Sequence, residues 1–389
     1  MDHTVYGQLS TLSANDATLR IGSADLVKKY PDWQFPLLKR WGGKVFDDLN
    51  VKVQSHKVSW DERQLRPVKT EIASATVAAD ATEFYVKDAG VFNVDDKLRV
   101  QSSGEIMIVL AVSGGTLLKV KRAWTGTAAT MALSDIVYRQ GTAAPQGKDA
   151  DNMVVQGNDE LYNYTGIYED VVELSGTQHN SLIHGVPNST TLLNDKQKEL
   201  MEGLQADLLL GGRMINKAEK RHSLGGLKNL IDLYAPENVI NFGGASVWNT
   251  DDSVIDKFDD TIEKVADQMG GKPTIFMGYK AMRKFKKVQD ANQRTTPDTK
   301  TRGIGVADSY LSQLGALDIV VVRERTGALN DLIFFADEKQ LGYKPMKNRS
   351  FGFEPLAKVG DSYKWQVLGE YTFLLATPKV HAYMYNLGL

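Results

Sequence analysis

Hydrophobic and polar positions change rhythm several times along this 389-residue chain. The longest helical pattern runs from about Leu193 to His222. Its apolar positions at Leu193, Leu200, Leu204, Leu208, Ile215 and Ala218 share one stripe. Thr190 or Thr191 can cap its start, and Gly225-Gly226 follows its end. Gly211-Gly212 inside it should each cost roughly 1 kcal/mol against alanine, so they mark a kink or the close approach of another backbone. A second helix places Val254, Ile255, Phe258, Ile262, Val265, Ala266 and Met269 on one face, with Ser253 as cap and Gly270-Gly271 as stop. A basic helix is predicted near 279–289.

Strand patterns surround these helices. Residues 51–70 and 154–175 alternate loosely and look extended, two arms that can pair as a ribbon. Between them, residues 71–143 show only strands and turns, with turn signals every 8–12 residues, the spacing of a small β-barrel or sandwich. Toward the end, strands are predicted at Ile275–Met277, Ile319–Val322, Leu332–Phe335, Trp365–Leu368, Tyr371–Leu375 and Ala382–Tyr385. Helices and strands are partly segregated, which predicts an α+β fold. Residues 1–50 are polar with scattered aromatics (Tyr30, Trp33, Phe35, Trp41, Phe46), and Pro31 and Pro36 interrupt regular structure. They read as an extended arm with aromatic anchors, or as a loosely packed tail.

Composition narrows the chemistry. The formal net charge is −2, so no bulk attraction to nucleic acid or anionic lipid is implied. The chain has no cysteine, which excludes disulfides and thiolate metal sites. Residues 1–20 lack the apolar core of a signal peptide, and no apolar run is long enough to cross a membrane, so no membrane partner is expected. Asn163-Tyr164-Thr165 and Asn188-Ser189-Thr190 match the glycosylation pattern by chance under that reading.

The stretches that could hold reactive chemistry read as turns and solvated faces. His3, His56, His179, His184, His222 and His381 form no metal-ligand pattern and read as surface or loop residues. No nucleophile elbow or phosphate loop occurs. Gly243-Gly244-Ala245-Ser246 lacks the lysine, and Gly303-Ile304-Gly305 lacks the third glycine. Asp251-Asp252 suits a helix start, and Asp259-Asp260 faces away from the apolar stripe. Lys280, Arg283, Lys284, Lys286 and Lys287 form a basic run. It reads as a solvated face or a contact with a neighbour's acidic patch more readily than as a nucleic-acid site. No catalytic, cofactor or metal residues are assigned, and no enzyme activity is expected.

Three stretches carry a resemblance. Asn163-Tyr164-Thr165-Gly166-Ile167-Tyr168-Glu169-Asp170, followed by Val172-Glu173-Leu174-Ser175-Gly176-Thr177, resembles the "NYTQIF…VSGT" strand of tailed-bacteriophage major capsid proteins, with Gly166 in place of glutamine. Lys119-Val120-Lys121-Arg122 with Gly126-Thr127-Ala128-Ala129 resembles the "V-x-R…GT-x-A" hairpin of phage structural proteins. Glu370-Tyr371-Thr372 to His381-Ala382-Tyr383 resembles the closing P-domain strands. The order of parts resembles the Hong Kong 97 capsid fold, in the group with a β-domain inserted in the E-loop.

The resemblance implies an N-terminal arm over 1–50, an E-loop ribbon from 51–70 and 144–178, and an inserted β-domain over 71–143. It further implies a P-domain with spine helix over 179–229, mainly A-domain over 230–375, and a closing P-domain strand over 376–389. The implied function is a shell subunit forming pentamers and hexamers of an icosahedral virion head, assembled in the host cytoplasm around double-stranded DNA that is confined without sequence-specific binding. Scaffold, portal and decoration proteins are further implied partners, and no cofactor is. Candidate inter-subunit contacts are Trp33, Phe35, Trp60, Arg63, Arg66, Tyr164 and Tyr168. The arm is expected to be retained in the particle as a clamp, with Trp33 and Phe35 packed on a neighbour. A cellular nanocompartment shell protein and a hydrolase with an unrecognised site stay open as alternatives.

Overall fold

The computed structural model describes residues 35–63, 66–147, 158–180, 189–249, 251–268, 271–292, 309–322, 328–358 and 360–389. They form two compact units, one of the residues up to Trp60 and from Glu160, the other Asp61–Asp159. Helices in chain order are α1 (Pro36–Arg40), α2 (Lys44–Asp48), α3 (Gly176–Asn180), α4 (Ser189–Leu210), α5 (Leu227–Tyr234), α6 (Asp251–Asp267) and α7 (Tyr279–Asn292). The α+β class predicted from the sequence is the class observed.

The first unit is built on a six-stranded mixed sheet. Its strand order is Val239–Asn241, Ala382–Tyr385, Leu332–Ala336, Thr274–Met277, Gly315–Val321, Ser309–Ser312. The pairs Val239–Asn241 with Ala382–Tyr385 and Thr274–Met277 with Gly315–Val321 are parallel, and the other pairs antiparallel. Side chains alternate across a strand, so a strand covered on both faces must be apolar throughout. Ile275, Met277, Ile333, Phe335 and Met384 face α6 and α7, whereas Phe276, Phe334 and Tyr383 face the core shared by α1, α4 and α5. This explains the unbroken apolar runs in those strands.

A second sheet is organised on the long strand Ser362–Leu375. Gly166–Ser175 runs antiparallel to it from Gly166 opposite Tyr371 to Ser175 opposite Ser362. Its other edge pairs with Leu341–Pro345 and Gly352–Pro355. The sequence predicts two strands here, broken before Tyr371. They are one, because Gly369 lies within the strand to make room: a Cβ there would sit 2.5 Å from the Phe351 ring. Val172, Leu174 and Val367 close a small core with Leu193 of α4. Among the described residues, strand pairing between the two extended arms joins Lys57–Glu62 to Asp159–Tyr164. Residues Gly166–Ser175 of the second arm pair instead with Ser362–Leu375.

Two expectations need correction. The long helix ends at Leu210, not near His222, and residues Met214–Asn216 and Arg221–Ser223 form a hairpin instead. Gly211 stands where the chain turns back. A Cβ on it would lie 2.5 Å from the Asp207 carbonyl oxygen and 2.8 Å from that of Leu224, so the double glycine serves close backbone approach. Residues 36–48 are not extended. Pro36 occupies the first turn of α1, where its missing N–H costs nothing, and Leu37, Trp41, Val45 and Phe46 are buried within the chain's own core. Trp41 meets Phe276 edge-on at 5.3 Å and Phe373 at 5.7 Å.

The second unit holds a six-stranded antiparallel sheet in the order Lys69–Glu71, Ile136–Thr142, Asp96–Val100, Ile106–Ser113, Leu117–Thr125, Glu83–Tyr85. Thr76–Val77 and Met131–Ala132 form a further antiparallel pair. Its core, including Ile72, Phe84, Phe92, Leu98, Val109, Val120 and Val137, is separate from those of the first unit.

Candidate assembly surfaces and the nodes behind them

The stretch carrying the main resemblance is held by a buried polar node. Asn163 is fully buried and uses its whole amide. Nδ2 donates to the carbonyl oxygens of Gly225 (2.9 Å) and Phe373 (2.7 Å), while Oδ1 accepts from the N–H groups of Tyr164 and Gly225, both at 2.8 Å. One side chain thereby ties the strand Asp159–Tyr164 to the segment before α5 and to the long strand Ser362–Leu375. Thr165, also buried, donates to Glu370 Oε1 at 2.6 Å, and Glu370 Oε2 lies 2.8 Å from Arg349 Nε. Only an amide offers two donors and an acceptor on one short stem, which is why asparagine suits this position. With every amide atom engaged, Asn163 is not open to a glycan. Asn188 lies outside the described residues.

A second node organises the hairpin motif of the β unit. Arg122 donates to Glu105 through Nε (2.9 Å) and Nη2 (2.7 Å), and to the carbonyls of Ala78, Ala81 and Ala129. Glu105 also accepts from the N–H groups of Ala123 (3.0 Å) and Ala129 (3.1 Å). The Glu105 side chain is 0% exposed and that of Arg122 7%. Burial alone would push the Glu105 carboxyl up. The hydrogen bonds from Arg122, Ala129 and Ala123, with the guanidinium charge, outweigh it and hold the carboxyl below its ordinary value. The Arg122 of the "V-x-R…GT-x-A" pattern is therefore the strut of its own hairpin. Its partner Glu105 carries no motif signal beyond an acid after the turn Ser102-Ser103-Gly104.

The expected contact residues have varied surroundings. Trp60 is buried in a core with Phe46, Val53, Val58, Leu161 and Leu374 of the same chain. Tyr168 donates to Asp207 of α4 at 2.8 Å; burial, then the Asp207 charge, push its hydroxyl far above the usual phenol range. Arg66 Nη2 lies 3.2 Å from Asp96 Oδ2, and desolvation lowers its guanidinium against the pull of Asp96. Tyr164 is half-buried, stacked on His56 with ring centroids 6.3 Å apart. Arg63 is exposed and Phe35 half-buried. Trp33 lies outside the described residues, as do Met269, Gly270 and Gly303-Ile304-Gly305.

His381 departs from the surface reading. It is fully buried, accepting from Asp337 N–H at Nδ1 (3.3 Å) and facing the Ala376 carbonyl from Nε2 (3.2 Å). Desolvation dominates and lowers its pKa to about 4. Its two backbone partners lie just past the ends of the strands Leu332–Ala336 and Ser362–Leu375. Among the described residues, no group of three or more His, Asp or Glu side chains could hold a metal ion, and no helix is long and apolar enough to cross a membrane.

The polar nodes bind strand to strand, and the described elements keep the order of parts of the Hong Kong 97 capsid fold. Paired extended segments come first, then a spine-length helix, a mixed sheet between helices, and a long returning strand. The class so defined is a structural shell subunit. A family model described as SU10 major capsid protein matches residues 26–388, and the chain belongs to that family. It is thus a tailed-phage major capsid protein, a structural component of the virion that assembles with copies of itself.

Solved structures share only a distant likeness. One described as Mycobacterium phage Cain aligns at a TM-score of 0.44 and 10% identity, over 98% of each chain. Another, Mycobacterium phage Adephagia, aligns at 0.43 and 11%, over 95% of this chain and 92% of that one. The holo-SrpI encapsulin complex from Synechococcus elongatus aligns at 0.39 and 12%, over 60% of this chain and 77% of that one. Comparison with curated protein sequences gives no match.

Proposed function

We propose that this capsid subunit forms pentameric and hexameric rings that close as an icosahedral head around double-stranded DNA. The observation that carries the reading is the family match over residues 26–388, which spans both units. A net charge of −2 favours DNA that is confined by the shell over DNA coated by it, since coating would demand a basic excess on the inner face.

Within the subunit, residues 51–70 and 144–178 act as the E-loop, and 71–143 as a module that reaches a neighbouring copy. Residues 179–229 act as the P-domain with α4 as spine, 230–375 mainly as the A-domain, and 376–389 as its closing strand. The arm ahead of α1 supplies the clamp. Of the expected contacts, exposed Arg63 and half-buried Phe35 and Tyr164 can face a neighbour as they stand, and Trp33 belongs with them on sequence grounds. Trp60, Arg66 and Tyr168 support such contacts from beneath, through their bonds and packing within the chain. Assembly in the host cytoplasm with scaffold, portal and decoration proteins completes the reading.

Negative-stain images of the purified full chain test it. Rings of five and six and closed shells are expected. Small monodisperse particles would refute it, and shells that enclose a protein cargo in a cell without phage would favour the nanocompartment alternative.

A further inference from the structure

One face of the six-stranded sheet carries two neighbouring helices of opposite charge. α6 holds seven acidic residues and two lysines; α7 holds five basic residues and one acid. Their apolar sides share one core, where Phe258 of α6 stacks on Phe285 of α7 at 4.9 Å.

The outward sides are patterned. Asp256, Asp260, Glu263 and Asp267 are exposed at steps of four, three and four, a single stripe on α6. Lys280, Arg283 and Lys287 are exposed at steps of three and four, a single stripe on α7. At 1.5 Å of rise per residue, Asp256 to Glu263 and Lys280 to Lys287 each span about 10.5 Å. The first three acids of the longer acidic stripe therefore match the basic stripe in length and in sign and, with the two helices read in opposite directions, in spacing. Among the described residues, neither Lys280, Arg283 and Lys287 nor Asp256, Asp260 and Glu263 are engaged in an ion pair. A hollow of about 320 Å³ opens on the acidic stripe, lined by Ile240, Lys257, Asp260, Glu263, Lys264 and Asp267, net acidic and wide enough for an incoming basic side chain.

We propose that the basic stripe of α7 docks on the acidic stripe of α6 of the adjacent copy, head to tail around the ring. The occupant is a second copy of this chain because the chain itself carries both complementary halves. A heterologous contact repeated around a closed ring satisfies every stripe. The inference rests on the shell reading. It adds which helices set the register between neighbours.

The test uses the full chain with exposed positions only. One variant carries Arg283→Glu and Lys287→Glu, a second Asp260→Lys and Glu263→Lys, and a third all four. Assembly is followed by native mass spectrometry and negative-stain microscopy, and folding by circular dichroism. Each two-site reversal should raise the concentration for half-assembly by roughly tenfold or more, since like charges then face each other. The four-site variant should recover ring formation. An equimolar mixture of the two reversed variants should form six-membered rings and no five-membered ones, because an odd ring needs one like-on-like junction.

Reversed variants that assemble like the unsubstituted chain would overturn the pairing, and so would a four-site variant that stays folded but does not recover. Mixtures that stop at heterodimers would overturn the head-to-tail arrangement. If the basic reversal weakens retention of a double-stranded DNA oligomer while rings stay intact, the basic stripe is a nucleic-acid contact and the pairing falls. If the unsubstituted chain forms no rings at all, the shell reading fails, and the pairing with it. Rings from the unsubstituted chain with unchanged variants remove the pairing alone.

Discussion

Removing one partner of the Glu105–Arg122 pair should unfold the β unit before the rest of the chain. Glu105 is completely enclosed and accepts four hydrogen bonds, two from Arg122 and two from backbone N–H groups. Replacing Glu105 with alanine leaves a guanidinium 7% exposed without its counter-charge and two amide donors unanswered. Breaking a buried pair in this way costs about 3–5 kcal/mol. Replacing Arg122 with methionine strands the carboxylate instead, and also frees the carbonyls of Ala78, Ala81 and Ala129.

Replacing both, as Glu105→Leu with Arg122→Met, should be milder than either single change, because an apolar pair needs no compensation. The measurement is urea titration with hydrogen exchange read on peptides from 96–142 and, separately, from 227–292. The sign with pH follows from the lowered Glu105 pKa. The carboxyl contributes stability above its unfolded value, and that stability is lost as pH falls through the lower folded value. Glu105→Gln should abolish this part of the acid sensitivity. A single-site loss under about 1 kcal/mol, the scale of an exposed pair, would refute the reasoning.

Asn163→Ala should destabilise the first unit by about 3 kcal/mol or more, since two N–H groups and two carbonyls lose their partner; a melting temperature within a degree of the parent would contradict this. His381 is held neutral, with its folded pKa near 4 against 6.5, so stability present above pH 6.5 should fall as pH drops from 6.5 to 4, by roughly 3 kcal/mol at most. Denaturation of His381→Gln over that range should lack this slope. Deleting residues 1–36 should leave a folded subunit that closes no stable shells, and normal particles in the microscope would refute the clamp. A fragment of residues 71–143 should fold alone, judged by dispersed amide resonances.

Periodicity by itself determined the elements that bury one clear face. Val254, Phe258, Ile262 and Val265 are buried along α6 as their spacing requires, and the apolar runs around Phe276 and Phe334 became central strands because both sheet faces are covered. The motif stretches were legible as family resemblance, and the matched charges of α6 and α7 are visible as letters. Tertiary structure alone decided the rest. Leu193 to His222 keeps a helical stripe on paper, yet the helix stops at Leu210, because Gly211 must pass within van der Waals distance of the Asp207 and Leu224 carbonyls. Pro36, Trp41 and Phe46 read as an arm because burial depends on partners over two hundred residues away, among them Phe276 and Leu374. Asn163, which reads as a chance glycosylation match, proves to be a buried tie among three segments. A local pattern records the direction a side chain faces, but its partners are set only when distant strands come into register.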